Sequence, residues 1–87
     1  MNNIEELIEQ IKILSLSVTE NTYGSEIKQG YDLLVKLYDL GVDKESVYRP
    51  LFQYLSSLED GISYNYIADL LDYVVGWCSP RNRIWSV

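Results

Sequence analysis

The chain has 87 residues, of which 47% are apolar and 13% aromatic, a composition typical of one folded domain rather than a disordered segment. Its net charge is −6, with 13 acids against 7 Lys and Arg. This excess disfavours nucleic acid and membranes as partners, because both attract basic surfaces. The start, MNNIEELIEQ, lacks signal-peptide character, and no apolar run approaches the roughly 20 residues of a membrane span. We therefore expect a cytoplasmic protein.

Two amphipathic helices are predicted in the first half of the chain. The first runs from about Asn3 to Val18 and carries a well-spaced apolar stripe: Ile4, Leu7, Ile8, Ile11, Leu14 and Val18. Ile13 and Leu16 fall off that stripe, so we expect this helix to contact more than one neighbour. The second helix starts near Ser25, a predicted N-cap, and ends at Gly41, a residue type favoured where a helix closes in the left-handed conformation. Its inward positions are predicted to be Ile27, Tyr31, Leu34, Leu37 and Tyr38.

Two more helices follow. Asp43 is predicted to cap the third, with Val42 and Val47 placed to form a hydrophobic staple. Pro50 lies too far inside to be a first-turn proline and should kink or restart this helix. Ser63 is predicted to cap the fourth helix. Its core-facing residues are expected to be Ile67, Leu70, Leu71, Val74 and Val75.

The C-terminal segment GWCSPRNRIW has two interpretations. Since Pro80 bars further helix, the chain should turn back and lay Ile84 and Trp85 onto the bundle. Arg81 or Arg83 would then pair with a helix C-terminus or a carboxylate. The alternative is an exposed Arg/Trp hook for a partner. The first interpretation gives an all-α fold: one domain over residues 1–87, a compact bundle of about four helices with an ordered C-terminal tail.

The residue types required for catalysis and for metal binding are scarce. There is no histidine, and the lone Cys78 lacks the partner that would activate it, so packing beside Trp77 is its expected role. Asp69 and Asp72 lie one helical turn apart and could hold a divalent cation, but such pairs are ordinary on exposed faces. We therefore predict no enzyme, no metal and no cofactor.

The distribution of charge points to a protein partner. From Pro50 to Pro80 the chain has four acids and neither Lys nor Arg. Tyrosines are interleaved with these acids, as in a surface that binds a basic protein. The predicted contact surface consists of Glu59, Asp60, Tyr64, Tyr66, Asp69, Asp72 and Tyr73. The alternative is a solvated face with incidental tyrosines.

With the stretches LLDYVVGWCSPRNRIW and YDLLVKLYDLGVDKESVYRPLFQYL in view, the chain resembles small helical immunity proteins of bacterial toxin systems. These include the inhibitors of contact-dependent and colicin-like toxins. The resemblance covers size, acidity, helical layout and the style of the last two helices. It implies a cytoplasmic protein, a monomer or weak dimer, that binds a toxic nuclease domain and blocks its active site.

Two other functions stay open. One is a helical adaptor module, or a homo-oligomer that buries its tyrosine-rich side against itself. The other is nucleic-acid binding through Arg49, Arg81 and Arg83. The second is the weaker hypothesis, because Asp43 and Glu45 lie beside the few basic residues of the third helix and a recognition helix needs a basic face.

Overall fold

Four α-helices make up most of the described chain, which comprises residues 3–76 and 83–85 of a computed structural model. Their bounds are α1 (Asn3–Ser17), α2 (Tyr23–Asp39), α3 (Lys44–Ser57) and α4 (Ile62–Val75). The described residues contain no strand, so the predicted all-α fold is confirmed. Within them, no helix combines the length and apolar character needed to cross a membrane. The predictions for Trp77, Cys78, Pro80 and Arg81 lie outside the described residues.

The core is one cluster at the centre of the bundle. Helices α1 and α4 each pack against all the other helices, so they form its central pair. The apolar residues buried in the core come from every helix, from the α2–α3 turn and from the tail: Ile8, Ile11, Val18, Leu33, Leu34, Leu37, Val42, Val47, Leu51, Leu55, Tyr66, Ile67, Leu70, Leu71, Val74, Ile84 and Trp85. Most of them occupy positions that the helical periodicity predicts.

Some side chains that were expected to contact neighbours are instead exposed. Val75 and Tyr38, both predicted to face inward, are 37% and 47% exposed. Helix α1 does contact several neighbours, but Ile13 and Leu16 stay 56% and 69% exposed. The contacts of α1 with its neighbours are therefore made without burial of Ile13 and Leu16.

Helix α3 begins as predicted. Asp43 is its N-cap, and the carboxylate accepts hydrogen bonds from the Ser46 hydroxyl at 2.6 Å and the Ser46 backbone N–H at 3.3 Å. The hydroxyl bond is the main reason that the pKa of Asp43 lies below its ordinary value. Of the two outcomes predicted for Pro50, a kink or a restart of the helix, the restart is wrong, since α3 continues through the proline. One stripe of buried residues, from Val47 to Leu55, spans the proline and holds both halves on the same core.

Two predicted N-caps are wrong. Thr22, not Ser25, precedes α2, because the chain from Thr19 to Thr22 forms a hydrogen-bonded turn that leads directly into the helix. Gly61, not Ser63, precedes α4. Ser63 lies inside the helix, and its hydroxyl donates to the Ser15 carbonyl oxygen at 2.6 Å. This bond ties α4 to α1, so the serine supports packing between helices rather than a helix start.

The tail packs onto the bundle. Ile84 and Trp85 are buried, and the Trp85 indole N–H donates to the carbonyl oxygen of Val42 at 3.0 Å. The Tyr38 ring meets the indole edge to face, with the centroids 5.8 Å apart. The structural interpretation of the tail is confirmed for these residues, and Trp85 is not an exposed hook.

Helices α2 and α4 lie close together at Gly30. A Cβ atom on Gly30 would lie 2.6 Å from the Tyr66 hydroxyl oxygen and 2.8 Å from Leu70 Cδ1. Both separations are shorter than non-bonded atoms tolerate, so this contact requires glycine. Gly24, in the first turn of α2, has open space where its Cβ would be.

We expect Gly30→Ala to lower the free energy of unfolding by about 1–3 kcal/mol through overpacking, in spite of the higher helix propensity of alanine. The matched change Gly24→Ala should raise it by about 0.5–1 kcal/mol, because no neighbour opposes the added methyl group. Urea denaturation followed by circular dichroism measures both effects. Equal effects of the two substitutions would contradict the close approach of α2 and α4.

Candidate protein-interaction surface

The carboxylates of the predicted contact surface lie at two places. Glu59 and Asp60 are exposed in the loop between α3 and α4, and Asp69 and Asp72 are exposed on α4. Among the described residues, the ion pair observed joins Arg49 to Glu45 at 2.8 Å, and none involves these four carboxylates. We call the four together the acidic surface.

The tyrosines of the predicted surface divide into three environments. Tyr73 is half-buried beside Asp69 and Asp72. Tyr64 is also half-buried, but the helix period places it roughly 140° around α4 from Asp69. Tyr66 is fully buried. The structure therefore brings Tyr73 together with the α4 carboxylates and separates the other two tyrosines from them.

The predicted exposure of Tyr66 is wrong. Its hydroxyl lies with the Leu70 methyl groups in the space that Gly30 leaves open, and it donates to the Glu26 carbonyl oxygen at 2.5 Å. Burial, and then the negative charge of Glu26, raise the pKa of Tyr66 to about 12. Because the hydroxyl has a hydrogen-bond partner, the polar atom is tolerated in the core. Tyr66 belongs to the scaffold and cannot contact a partner.

Tyr23 is part of this surface, although sequence reasoning assigned it to a turn. Its hydroxyl, from the start of α2, donates a hydrogen bond to Asp69 Oδ2. Burial is the first cause that raises the pKa of Tyr23 well above its ordinary value, followed by the hydrogen bond to Asp69. The phenol therefore stays protonated and holds the Asp69 carboxylate in one orientation. The two residues lie 46 positions apart in the chain, so no local pattern predicts their contact.

Asp69 and Asp72 repel one another. The pKa of Asp72 is raised, first by partial burial and then by the charge of Asp69. A like charge nearby disfavours ionisation, whereas a cation bound to both carboxylates would remove that cost. The electrostatics of the pair therefore favour a positively charged ligand group.

A shallow groove borders the α4 carboxylates on the side of α2. It has a volume of about 200 Å³ and is lined by Tyr31 and Tyr73 together with Gly24, Ile27 and Lys28. The two tyrosine rings meet edge to face, with their centroids 5.0 Å apart. This contact fixes both rings and leaves them at the groove wall, where a partner side chain could pack against them.

Within the described residues, two cations lie near the margins of the acidic surface. Lys28 lines the adjoining groove. Arg83 lies beside Gly76, where an added Cβ would be 3.5 Å from the arginine Nε. Gly76 is seven residues after Asp69, on nearly the same face of the helix. The acidic segment has no Lys or Arg of its own, but tertiary structure places positive charge at the margins of its surface.

Glu26, which sequence reasoning did not single out, has a structural role. Glu26 is 9% exposed, and its carboxylate accepts hydrogen bonds from the hydroxyls of Ser17 at 2.7 Å and Thr22 at 2.5 Å. These bonds join the end of α1 and the α1–α2 turn to α2. In the described chain, no three acidic, His or Cys side chains are grouped so that they could hold a metal ion.

In comparisons with known proteins, no protein-family model, curated protein sequence or solved structure matches the chain.

We expect Tyr66→Phe to lower the free energy of unfolding by about 1 kcal/mol at neutral pH, because it removes a buried hydrogen bond. The folded pKa of Tyr66, about 12, is higher than its ordinary 10. Tyr66 should therefore stabilise the fold fully below pH 10 and lose that contribution as pH rises towards 12. Urea denaturation from neutral to alkaline pH measures both effects.

Tyr48→Phe is the matched control, since the described residues offer its hydroxyl no hydrogen-bond partner and its ring stacks on Phe52 at 5.5 Å. It should leave the free energy of unfolding nearly unchanged. If Tyr66→Phe were equally neutral, the hydroxyl would not be the buried link between α2 and α4.

Proposed function

We propose that this protein is a binding inhibitor of the immunity-protein kind, which acts in the cytoplasm on a cognate basic toxin domain, a nuclease, and covers its active site. The observation that carries the proposal is the pair Asp69 and Asp72, exposed on α4 and without an ion-pair partner among the described residues. Tyr23 orients one member of the pair, and Tyr73 lies beside it.

The physical basis is electrostatic complementarity. A nuclease binds phosphates with Lys and Arg side chains, so its active site attracts a surface of carboxylates. Complementary charge speeds association and selects the partner. At close range, a guanidinium placed between Asp69 and Asp72 would relieve their repulsion and donate charge-assisted hydrogen bonds to both carboxylates.

The tyrosines would supply the apolar part of the contact. Tyr31 and Tyr73 hold each other at the groove wall beside the carboxylates. Aromatic side chains that are already fixed lose little conformational freedom on binding, and they are enriched among residues that dominate binding energy. Glu59 and Asp60, in the preceding loop, would extend the contact at its rim.

A second candidate function is a helical adaptor module or homo-oligomer without inhibitory action. The exposed apolar side chains outside the acidic surface, such as Ile13, Leu16 and Phe52, favour it. Light scattering tests the homo-oligomer, because a mass that stays that of the monomer at all concentrations would count against self-assembly. Self-association through the acidic surface would oppose like charges.

The proposal predicts that the reading frame immediately upstream of this chain's gene encodes a toxin-like C-terminal domain, and the direct test is co-expression of the chain with that domain. The wild-type chain should restore growth and bind the purified domain, with affinity that falls as salt rises. Asp69→Lys combined with Asp72→Lys should weaken binding by at least about 100-fold and reduce its salt dependence, since each lost charge contact costs roughly 2–5 kcal/mol.

Glu9→Lys combined with Glu20→Lys is the matched control. Both glutamates are exposed and lie outside α4 and the α3–α4 loop, on α1 and in the α1–α2 turn. The double substitution alters net charge by the same amount, so it reports the general effect of charge. Unchanged binding by the Asp69/Asp72 variant, or an equal loss in the control, would refute this surface. Failure of the wild-type chain to bind the domain would refute the inhibitor itself.

A further inference from the structure

The outer side of the α1–α2 pair carries a groove that no other helix of the described chain fills. It consists of two adjoining cavities of about 390 and 330 Å³, and both are lined by Gln10 and Lys36. Leucines contribute the apolar lining: Leu7, Leu14, Leu33 and Leu40. The groove is therefore continuous along the two helices.

Apolar side chains at the two ends of the groove are open to solvent. Ile13 is 56% exposed at one end and Leu40 is 53% exposed at the other. Both lie on regular helix or directly after it, so their exposure is not the result of an irregular segment. Exposed apolar surface of this kind, bordered by polar groups, is typical of a binding groove.

The rim of the groove is acidic. Glu6, Asp32 and Asp39 line it, against the single cation Lys36. None of them takes part in the ion pair found within the described residues. An occupant with an apolar stripe and flanking positive charges would bury the leucines and neutralise the rim together.

The dimensions of the groove fit a short helix. Its lining on α1 runs from Asn3 to Leu14, which corresponds to about 17 Å at 1.5 Å per residue. About three turns of α-helix have this length, and a helix of that size presents anchors at i, i+3 or i+4, and i+7. We propose that the groove binds a cationic amphipathic helix of a partner protein.

The acidic charge of the rim disfavours two other occupants of the groove, a second copy of the chain and an anionic membrane. A second copy of the chain also has a net charge of −6 and would set one acidic rim against another. An anionic membrane surface would be repelled for the same reason. A protein helix with Lys or Arg beside its apolar stripe would bury the leucines of the groove and neutralise its acidic rim.

This groove is separate from the acidic surface of α4. Its α2 residues, such as Gln29 and Lys36, point on average roughly 120° away from Lys28 and Tyr31, which line the groove beside α4. Two ligands could therefore occupy the two flanks of α2 at the same time. The proposal goes beyond the inhibitor function and does not depend on it.

The test uses a labelled peptide of about 15 residues, with leucines at i, i+4, i+7 and i+11 and lysines and alanines elsewhere. A scrambled peptide of the same composition controls for general attraction to an acidic protein. Fluorescence anisotropy measures the binding of each peptide to the full chain. The protein variants are Ile13→Ser with Leu40→Ser, and Asp69→Lys with Asp72→Lys, each checked for folding by urea denaturation.

We expect the patterned peptide to bind at least about tenfold more tightly than the scrambled one, since only the former can bury its leucines together. The Ile13/Leu40 variant should lose that difference, and the Asp69/Asp72 variant should keep it. Equal binding of both peptides, or loss in the Asp69/Asp72 variant alone, would overturn the proposal. So would a wild-type dimer in light scattering that the Ile13/Leu40 variant abolishes, because the groove would then hold a second copy.

Discussion

The close approach of α2 and α4 at Gly30 is the constraint on which the rest of the structure depends. Because Gly30 has no side chain, the Tyr66 ring enters the core and its hydroxyl reaches the Glu26 carbonyl oxygen. The carboxylate of the same glutamate accepts hydrogen bonds from Ser17 and Thr22. One point therefore links α4, α2, the α1–α2 turn and the end of α1.

This contact also sets the geometry of the acidic surface. Tyr66 lies at one edge of the buried face of α4, and the helix period places Asp69, three residues later, about 60° further from the centre of that face. Tyr23 then lies between the two, with its ring edge to face against Tyr66 and its hydroxyl on Asp69. The orientation of a surface carboxylate thus depends on a buried contact beneath it, and a partner would meet a prearranged group.

The sequence predicted those features that depend on local order. Helical periodicity located the apolar stripes, and the cap at Asp43 and the turn at Gly41 follow from the chemistry of neighbouring residues. Tyr66 and Tyr23 could not be predicted in this way, because their roles depend on contacts between residues 40 and 46 positions apart. From its position at the edge of an apolar stripe, Tyr66 could lie in the core or on the surface. It lies in the core because Gly30, on another helix, leaves space for it.

A double-mutant cycle between Gly30→Ala and Tyr66→Phe tests the central contact most directly. If the methyl group added at Gly30 meets the Tyr66 hydroxyl, then removal of that hydroxyl should relieve part of the clash. Gly30→Ala should then cost less stability in the Tyr66→Phe background than in the wild type, by about 0.5–3 kcal/mol, the range for residues in contact. Free energies of unfolding that add to within about 0.5 kcal/mol would contradict this account of how α2 and α4 are held together.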